Sequence, residues 1–443
     1  MKIGFLAMSG IRAHDPELLR LGLTLPGFVE RSKTVASLPS LGLLYLAAAT
    51  PDAERHELRY YEAEGDRKEP REVYDCDLVA ISTFSAQVFE AYAIADRLRA
   101  AGVKVAMGGL HVTVRPDEAA QHCDYTIVGE GDNVWPAVVR AAEANAPPQK
   151  FDSKDFPPVD VSKLPVPRYD LLDHRPYNRF TVQTSRGCPW RCDFCASTVM
   201  LSRRYRKRPV EHVIRDIEAI KAFREHPFIE FADDNTFVDK AWGRELCRQL
   251  APLNVKWFTE TDITVADDDE LLELMRDAGC RQVLIGLESP VQGAAALQGI
   301  EMRDNAKAKW APRYLERVRK IQDHGITVNG CFILGLDGHG PEIFEQVLDF
   351  ALEVPLFDVQ ITVLTPFPGT PLHDRLLKEG RILQPGRWDW CTMFDVNFLP
   401  SGMSPEELRQ GMRWLTRRLY SAQTTDRRRR LFFDRARRRA LAV

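Results

Sequence analysis

Thr181-Val182-Gln183-Thr184-Ser185-Arg186-Gly187-Cys188-Pro189-Trp190-Arg191-Cys192-Asp193-Phe194-Cys195 runs a short strand through a Gly-Cys-Pro turn into a loop with three thiols at the spacing C-x3-C-x2-C. From this strand, Thr181 to Ser185, the chain alternates. Helical periodicity over 210–223, 241–250, 268–278, 311–324 and 341–353 separates apolar, strand-like runs at 228–232, 255–261, 282–287, 327–334 and 358–363. Six strands with five intervening helices predict a partial (β/α)6 barrel. A full barrel needs eight units, so this one leaves a lateral opening for a large substrate.

Working back from the loop, strand-like runs at 3–8, 58–61, 78–82, 103–107 and 125–128 alternate with helical stretches at 41–49, 86–100 and 134–143. This α/β pattern predicts a doubly wound, Rossmann-like parallel sheet, which binds ligands at the carboxyl ends of its strands. Those ends carry Ser82, Thr83, Gly108, Gly109, His111, Gly129 and Glu130. Between the two series, residues 146–178 hold Pro147, Pro148, Pro157, Pro158, Pro165, Pro167 and Pro176, which suits an extended surface linker rather than a helix or central strand. Working forward, Ser404-Pro405-Glu406-Glu407 reads as a helix start with a capping box. The stretch 427–439 carries eight arginines interleaved with Leu431, Phe432 and Phe433, and reads as a solvated helix face over the barrel, with an RNA or anionic membrane contact as the competing reading. The expected division is 1–145, 146–178, 179–400 and a helical, arginine-rich tail at 401–443.

The 443 residues allow two to four domains. Lys plus Arg total 60 against 63 Asp plus Glu, a net charge of -3 that supplies no global field to recruit nucleic acid. No stretch approaches the roughly 18 uninterrupted apolar residues of a membrane span, and the opening run Ile3 to Met8 reads as a strand rather than a secretion signal. Nine cysteines, an odd count without an export signal, point to reduced thiols and a cytoplasmic protein.

The chemistry rests on the three clustered thiols. Zinc sites usually draw four ligands from two separated pairs, and no partner pair lies nearby. Three thiolates on an iron-sulfur cube leave one iron open to a substrate. With Phe194 just before the third cysteine, the loop resembles the signature of the radical S-adenosylmethionine enzymes. The resemblance implies that Cys188, Cys192 and Cys195 hold a 4Fe-4S cluster. Its fourth iron would chelate S-adenosylmethionine, and an electron from a reducing partner such as flavodoxin or ferredoxin would release a 5'-deoxyadenosyl radical. It further implies cofactor contacts at Asp233 and Asp234 after the second barrel strand, Glu288 after the fourth and Gly335 after the fifth.

Thr365-Pro366-Phe367-Pro368-Gly369-Thr370-Pro371-Leu372 with Glu379-Gly380-Arg381-Ile382 is similar to the barrel end of the subgroup carrying an N-terminal cobalamin-binding domain. Leu38-Pro39-Ser40-Leu41-Gly42-Leu43, Met107-Gly108-Gly109-Leu110-His111 and Val128-Gly129-Glu130-Gly131 agree with that subgroup. The resemblance implies cobalamin as a third cofactor, although no D-x-H-x-x-G run is present and His111 lacks that context. It implies methylation of an unactivated carbon or phosphorus of a small molecule. Relatives without cobalamin perform cyclisation, dehydration or oxidation, and this is the alternative. A methylthiotransferase needs three further cysteines in the first domain, which offers only Cys76 and Cys123. A cobalamin or redox sensor needs no substrate-sized cavity. Cys280, Cys331 and Cys391 stand equally as core thiols or hydrogen donors.

Overall fold

The computed structural model describes residues 1–10, 12–25, 28, 38–64, 69–190, 192–197, 204–290 and 313–440. Arg191 and the first residues of the helix expected at 311–324 lie outside them.

The first sheet contains Lys2–Ser9 (β1), Glu57–Glu64 (β2), Leu78–Ser82 (β3), Lys104–Gly108 (β4), Tyr125–Val128 (β5) and Gln149–Asp152 (β6), in the order β2-β1-β3-β4-β5-β6 with every pair parallel. Its central strands are apolar throughout because both faces are covered. Ile3, Phe5 and Ala7 of β1 join Leu78 and Ala80 of β3 in one core with Trp135, while Leu6, Met8, Val79 and Ile81 feed the opposite core with Val88 and Leu98. Period-two alternation into two cores is the signature of a doubly wound sheet.

The strand β6 corrects the expected linker, whose first residues extend the sheet on its edge, where proline-flanked segments are tolerated. The rest of that segment is a packed strap. Val159, Val161, Leu164, Tyr169, Leu172 and Tyr177 are buried in the same core as the barrel, and Asp152 and Asp160 cap its short turns. Prolines excluded regular structure there, but the apolar residues between them still found a core.

The second sheet comprises Phe180–Val182 (β7), Phe228–Phe231 (β10), Lys256–Thr261 (β11), Cys280–Glu288 (β12), Thr327–Leu334 (β13) and Asp358–Val363 (β14), parallel in chain order. Between the first two, Ser185–Arg186 (β8) and Arg206–Lys207 (β9) form an antiparallel hairpin. Helices Val210–Lys221, Lys240–Leu250, Asp269–Asp277, Tyr314–Asp323 and Ile343–Glu353 fill the crossovers, two of them capped by Asp239 and Asp268. Among the described residues β7 and β14 have no outer partner strand, so the barrel stays open.

The helix Pro405–Leu419 starts with the expected capping box between Ser404 and Glu407. The helix Ala422–Ala440 lies on the barrel: Arg428 is buried and donates to the carbonyls of Leu356, Phe357 and Leu419, Arg429 and Arg435 pair with Asp358 and Asp323, and Phe432 packs on Phe357. Among the described residues no helix is long and apolar enough to cross a membrane.

Candidate active site

The carboxyl ends of the first sheet and the mouth of the barrel face each other across a cavity of about 700 Å³. Cys188, Cys192 and Cys195 line one wall. Their loop is fixed at several points. At its base is the β8–β9 hairpin; Gly187 takes φ +88°, which glycine adopts without strain. Trp190 Nε1 donates to Asp262 Oδ2 at 3.0 Å, Cys195 N donates to Cys192 O at 3.2 Å, and the Asp193 carbonyl accepts from Leu372 N at 3.1 Å. Phe194 lines the cavity and packs against the barrel core. Among the described residues no three His, Cys, Asp or Glu side chains are gathered tightly enough to cage a metal ion. What fits an iron-sulfur cluster is the donor chemistry: three thiols on one anchored loop at a cavity wall.

Asp233 and Asp234 do different work. Asp233 is buried away from the cavity lining, where it accepts from Thr184 N at 2.8 Å, Ser185 N at 2.9 Å, Thr236 Oγ1 at 2.7 Å and the Thr184 hydroxyl. It ties the end of β10 to the strand leading into the thiol loop, so the expected cofactor contact is here a positioning residue. Asp234 lines the cavity; burial raises its pKa against hydrogen bonds from Ser197 and the Gly187 backbone. Glu288 also lines it, at a break in the β12–β13 register and with φ +62°. A non-glycine residue held in the left-handed region beside a bulge is strain of the kind that accompanies functional sites. Gly335 departs from expectation. Its φ is +86°, and a Cβ there would come within 2.8 Å of Leu408 and 2.9 Å of Phe398, so it lets the tail helix pack rather than lining the cavity.

On the opposite wall the structure shifts the expectations after β3 and β4 by a few residues and places those after β5 away from the lining. Ser82, Thr83, Gly108, Gly109, His111, Gly129 and Glu130 lie outside the lining, whereas Gly10, Phe84, Ser85, Gln87, Leu110 and Val114 form it. The small residues at strand ends make the turns, and the residues just beyond reach the cavity. Gly109 is at φ +98°, where a Cβ would sit 2.9 Å from the Thr83 carbonyl oxygen. Gly129 packs against Ser153. His111 is fully buried between Ser85 Oγ at 3.0 Å and Glu118 Oε1 at 3.3 Å, and burial lowers its pKa. Both ring nitrogens are engaged. Glu130 accepts from Arg186 and Arg206 of the hairpin, bracing the thiol loop from the first domain.

Sequence reasoning missed Asp262 and Gln87. Asp262 follows β11 and accepts from Trp190, Asn235 and Thr264; burial opposes its charge, but these bonds hold its carboxyl below the usual range. A carboxylate at a barrel strand end is a signal the sequence carried. Gln87 had none, being an ordinary polar residue before a helix. Among the three uncertain thiols, Cys331 and Cys391 line the cavity, while Cys280 is fully buried outside the lining.

Residues 182–351 match the radical SAM superfamily model, 31–139 the B12 binding domain, and 370–442 a domain of unknown function, DUF4070. The bacteriochlorophyllide d C-8(2)-methyltransferase of Chlorobaculum tepidum is 27% identical over 320 residues, covering 70% of each chain. The hopanoid C-2 methylase of Rhodopseudomonas palustris is 29% identical over 362 residues, 79% of this chain and 66% of that one. The fold is shared with the radical S-adenosylmethionine methyltransferase TsrM from Kitasatospora setae, solved with cobalamin and a [4Fe-4S] cluster: TM-score 0.65, 16% identity, covering 94% of this chain and 88% of that one. This chain carries a B12-binding domain followed by a radical S-adenosylmethionine domain.

Proposed function

We propose that the chain is a cobalamin-dependent radical S-adenosylmethionine methyltransferase acting on an unactivated carbon, or phosphorus, of a small molecule. One observation carries this reading: a single cavity is walled by the three-thiol loop on one side and by the strand-end loops of the B12-binding sheet on the other. Two cofactors can then act on one substrate without its release.

In this reading Cys188, Cys192 and Cys195 hold the cluster, whose chemistry when bound is one-electron cleavage of the sulfonium. The chain's own residues bind, orient and keep water out. Asp234 and Glu288 offer carboxylates to the cationic methionyl end of S-adenosylmethionine. Phe84, Leu110, Ile333, Leu364, Phe367 and Met393 supply an apolar lining for a largely hydrophobic acceptor and exclude water from the radical. Flavodoxin or ferredoxin would serve as the electron source, and the cytoplasm would keep the thiols reduced.

The test is product analysis after anaerobic reduction of the reconstituted protein with S-adenosylmethionine. Methyl transfer predicts S-adenosylhomocysteine together with 5'-deoxyadenosine, the first dependent on added cobalamin. Deoxyadenosine with no cobalamin-dependent S-adenosylhomocysteine would overturn the methyltransferase reading in favour of cyclisation, dehydration or oxidation.

A further inference from the structure

The turn Ser85–Gln87 after β3 lines the cavity and carries two side-chain hydrogen-bond acceptors, one of them unmet among the described residues. Gln87 is more than nine-tenths buried and lines the cavity. Its Nε2 donates to the Gly10 carbonyl at 3.0 Å, which fixes the sense of the amide, so the other atom is the oxygen. That oxygen, Oε1, is buried and has no donor among the described residues. Leaving such an acceptor unmet costs free energy that a ligand N–H would recover.

Ser85, two residues earlier, is also an acceptor. His111 Nε2 faces the Glu118 carboxylate, which can only accept, so that nitrogen carries the hydrogen. The other nitrogen, Nδ1, is then a lone pair and takes the Ser85 hydroxyl hydrogen across 3.0 Å. Glu118 is itself held by Trp388 Nε1 at 3.1 Å, which locks the chain of bonds. The Ser85 oxygen is left with lone pairs only. One turn therefore carries two acceptors, and a neutral –NH2 group carries two hydrogens to answer them.

We infer that Ser85 and Gln87 recognise a primary carboxamide of cobalamin through its –NH2 group, selecting the amidated corrinoid over its carboxylate forms. The inference rests on the reading that this cavity takes cobalamin, whose ring edge bears such carboxamides. A carboxylate at that position would bring negative charge against two oxygens and offer no hydrogen.

The experiment measures corrinoid affinity of the iron-reconstituted chain by tryptophan fluorescence and retained cobalt, using hydroxocobalamin and the monocarboxylic derivatives in which one carboxamide is hydrolysed. Wild type is expected to bind one derivative about tenfold more weakly than hydroxocobalamin, the worth of one such bond. Gln87→Leu and Ser85→Ala are expected to lose that discrimination while keeping iron content. Equal binding of all derivatives by wild type would overturn the inference, as would discrimination that survives in both variants. Failure of wild type to bind hydroxocobalamin would instead sink the cobalamin reading itself.

Discussion

Glu130 of the first domain lies 2.8 Å from Arg186 of the second, and Arg186 is two residues from Cys188. Glu130 also accepts from Arg206 at 2.7 Å on the facing strand of the hairpin, and Asp132 joins Arg186 at 2.8 Å. The B12-binding domain therefore does more than supply one cavity wall: it holds the hairpin from which the thiol loop emerges.

Removing that brace leaves a largely buried guanidinium short of negative charge. Glu130→Ala is expected to lower stability by about 3 kcal/mol, measured by urea unfolding, and to reduce the iron retained after reconstitution. Unchanged unfolding would show that Asp132 suffices.

The two aspartates after β10 separate positioning from cofactor contact. In Asp233→Asn an amide N–H2 meets the donors of Thr184, Ser185 and Thr236, so iron retention is expected to fall together with a loss of about 2 kcal/mol in stability. Asp234→Asn is expected to keep its iron and lose S-adenosylmethionine affinity by about tenfold. The reverse pattern in iron analysis and equilibrium dialysis would exchange the roles.

At Gly109 both backbone sign and space forbid a side chain. Gly109→Ala is expected to destabilise the protein by about 1–3 kcal/mol, seen as a lower urea midpoint, because its Cβ would press on the Thr83 carbonyl. A neutral substitution would mean that the β3 and β4 loops can separate freely.

His339 is buried against Ser289 at 3.0 Å, and burial lowers its pKa to about 4, from roughly 6.5 when unfolded. In that window the unfolded chain binds more protons than the folded one, so stability falls as the pH drops from about 6.5 to about 4. His111 and His373, also lowered by burial, act in the same direction. His339→Gln is expected to flatten the pH dependence of the melting temperature in part. An unchanged slope would remove His339 from the account.

The strands and helices of both sheets were legible because apolar runs and helical periodicity are local properties. Thus β3, β5, β13 and β14 fall at the expected residues. The thiol loop was legible because its chemistry depends on spacing. Residues whose roles depend on tertiary partners were not. Asp233 and Asp234 are neighbours in sequence and separate in function because one points into the Thr184 turn. His111 reads as a ligand candidate until both its nitrogens are accounted for. The strap at 153–178 illustrates the same limit: prolines describe what a segment cannot form, not what it packs against.

In the proposed enzyme one cavity joins a cluster and a corrinoid. Anaerobic reconstitution with iron, sulfide and hydroxocobalamin, followed by desalting and metal analysis of wild type and Cys192→Ala, tests it directly. About four irons and near-stoichiometric cobalt are expected in wild type, with iron lost and cobalt kept in the variant. Iron without cobalt in wild type, or full iron in Cys192→Ala, would contradict it.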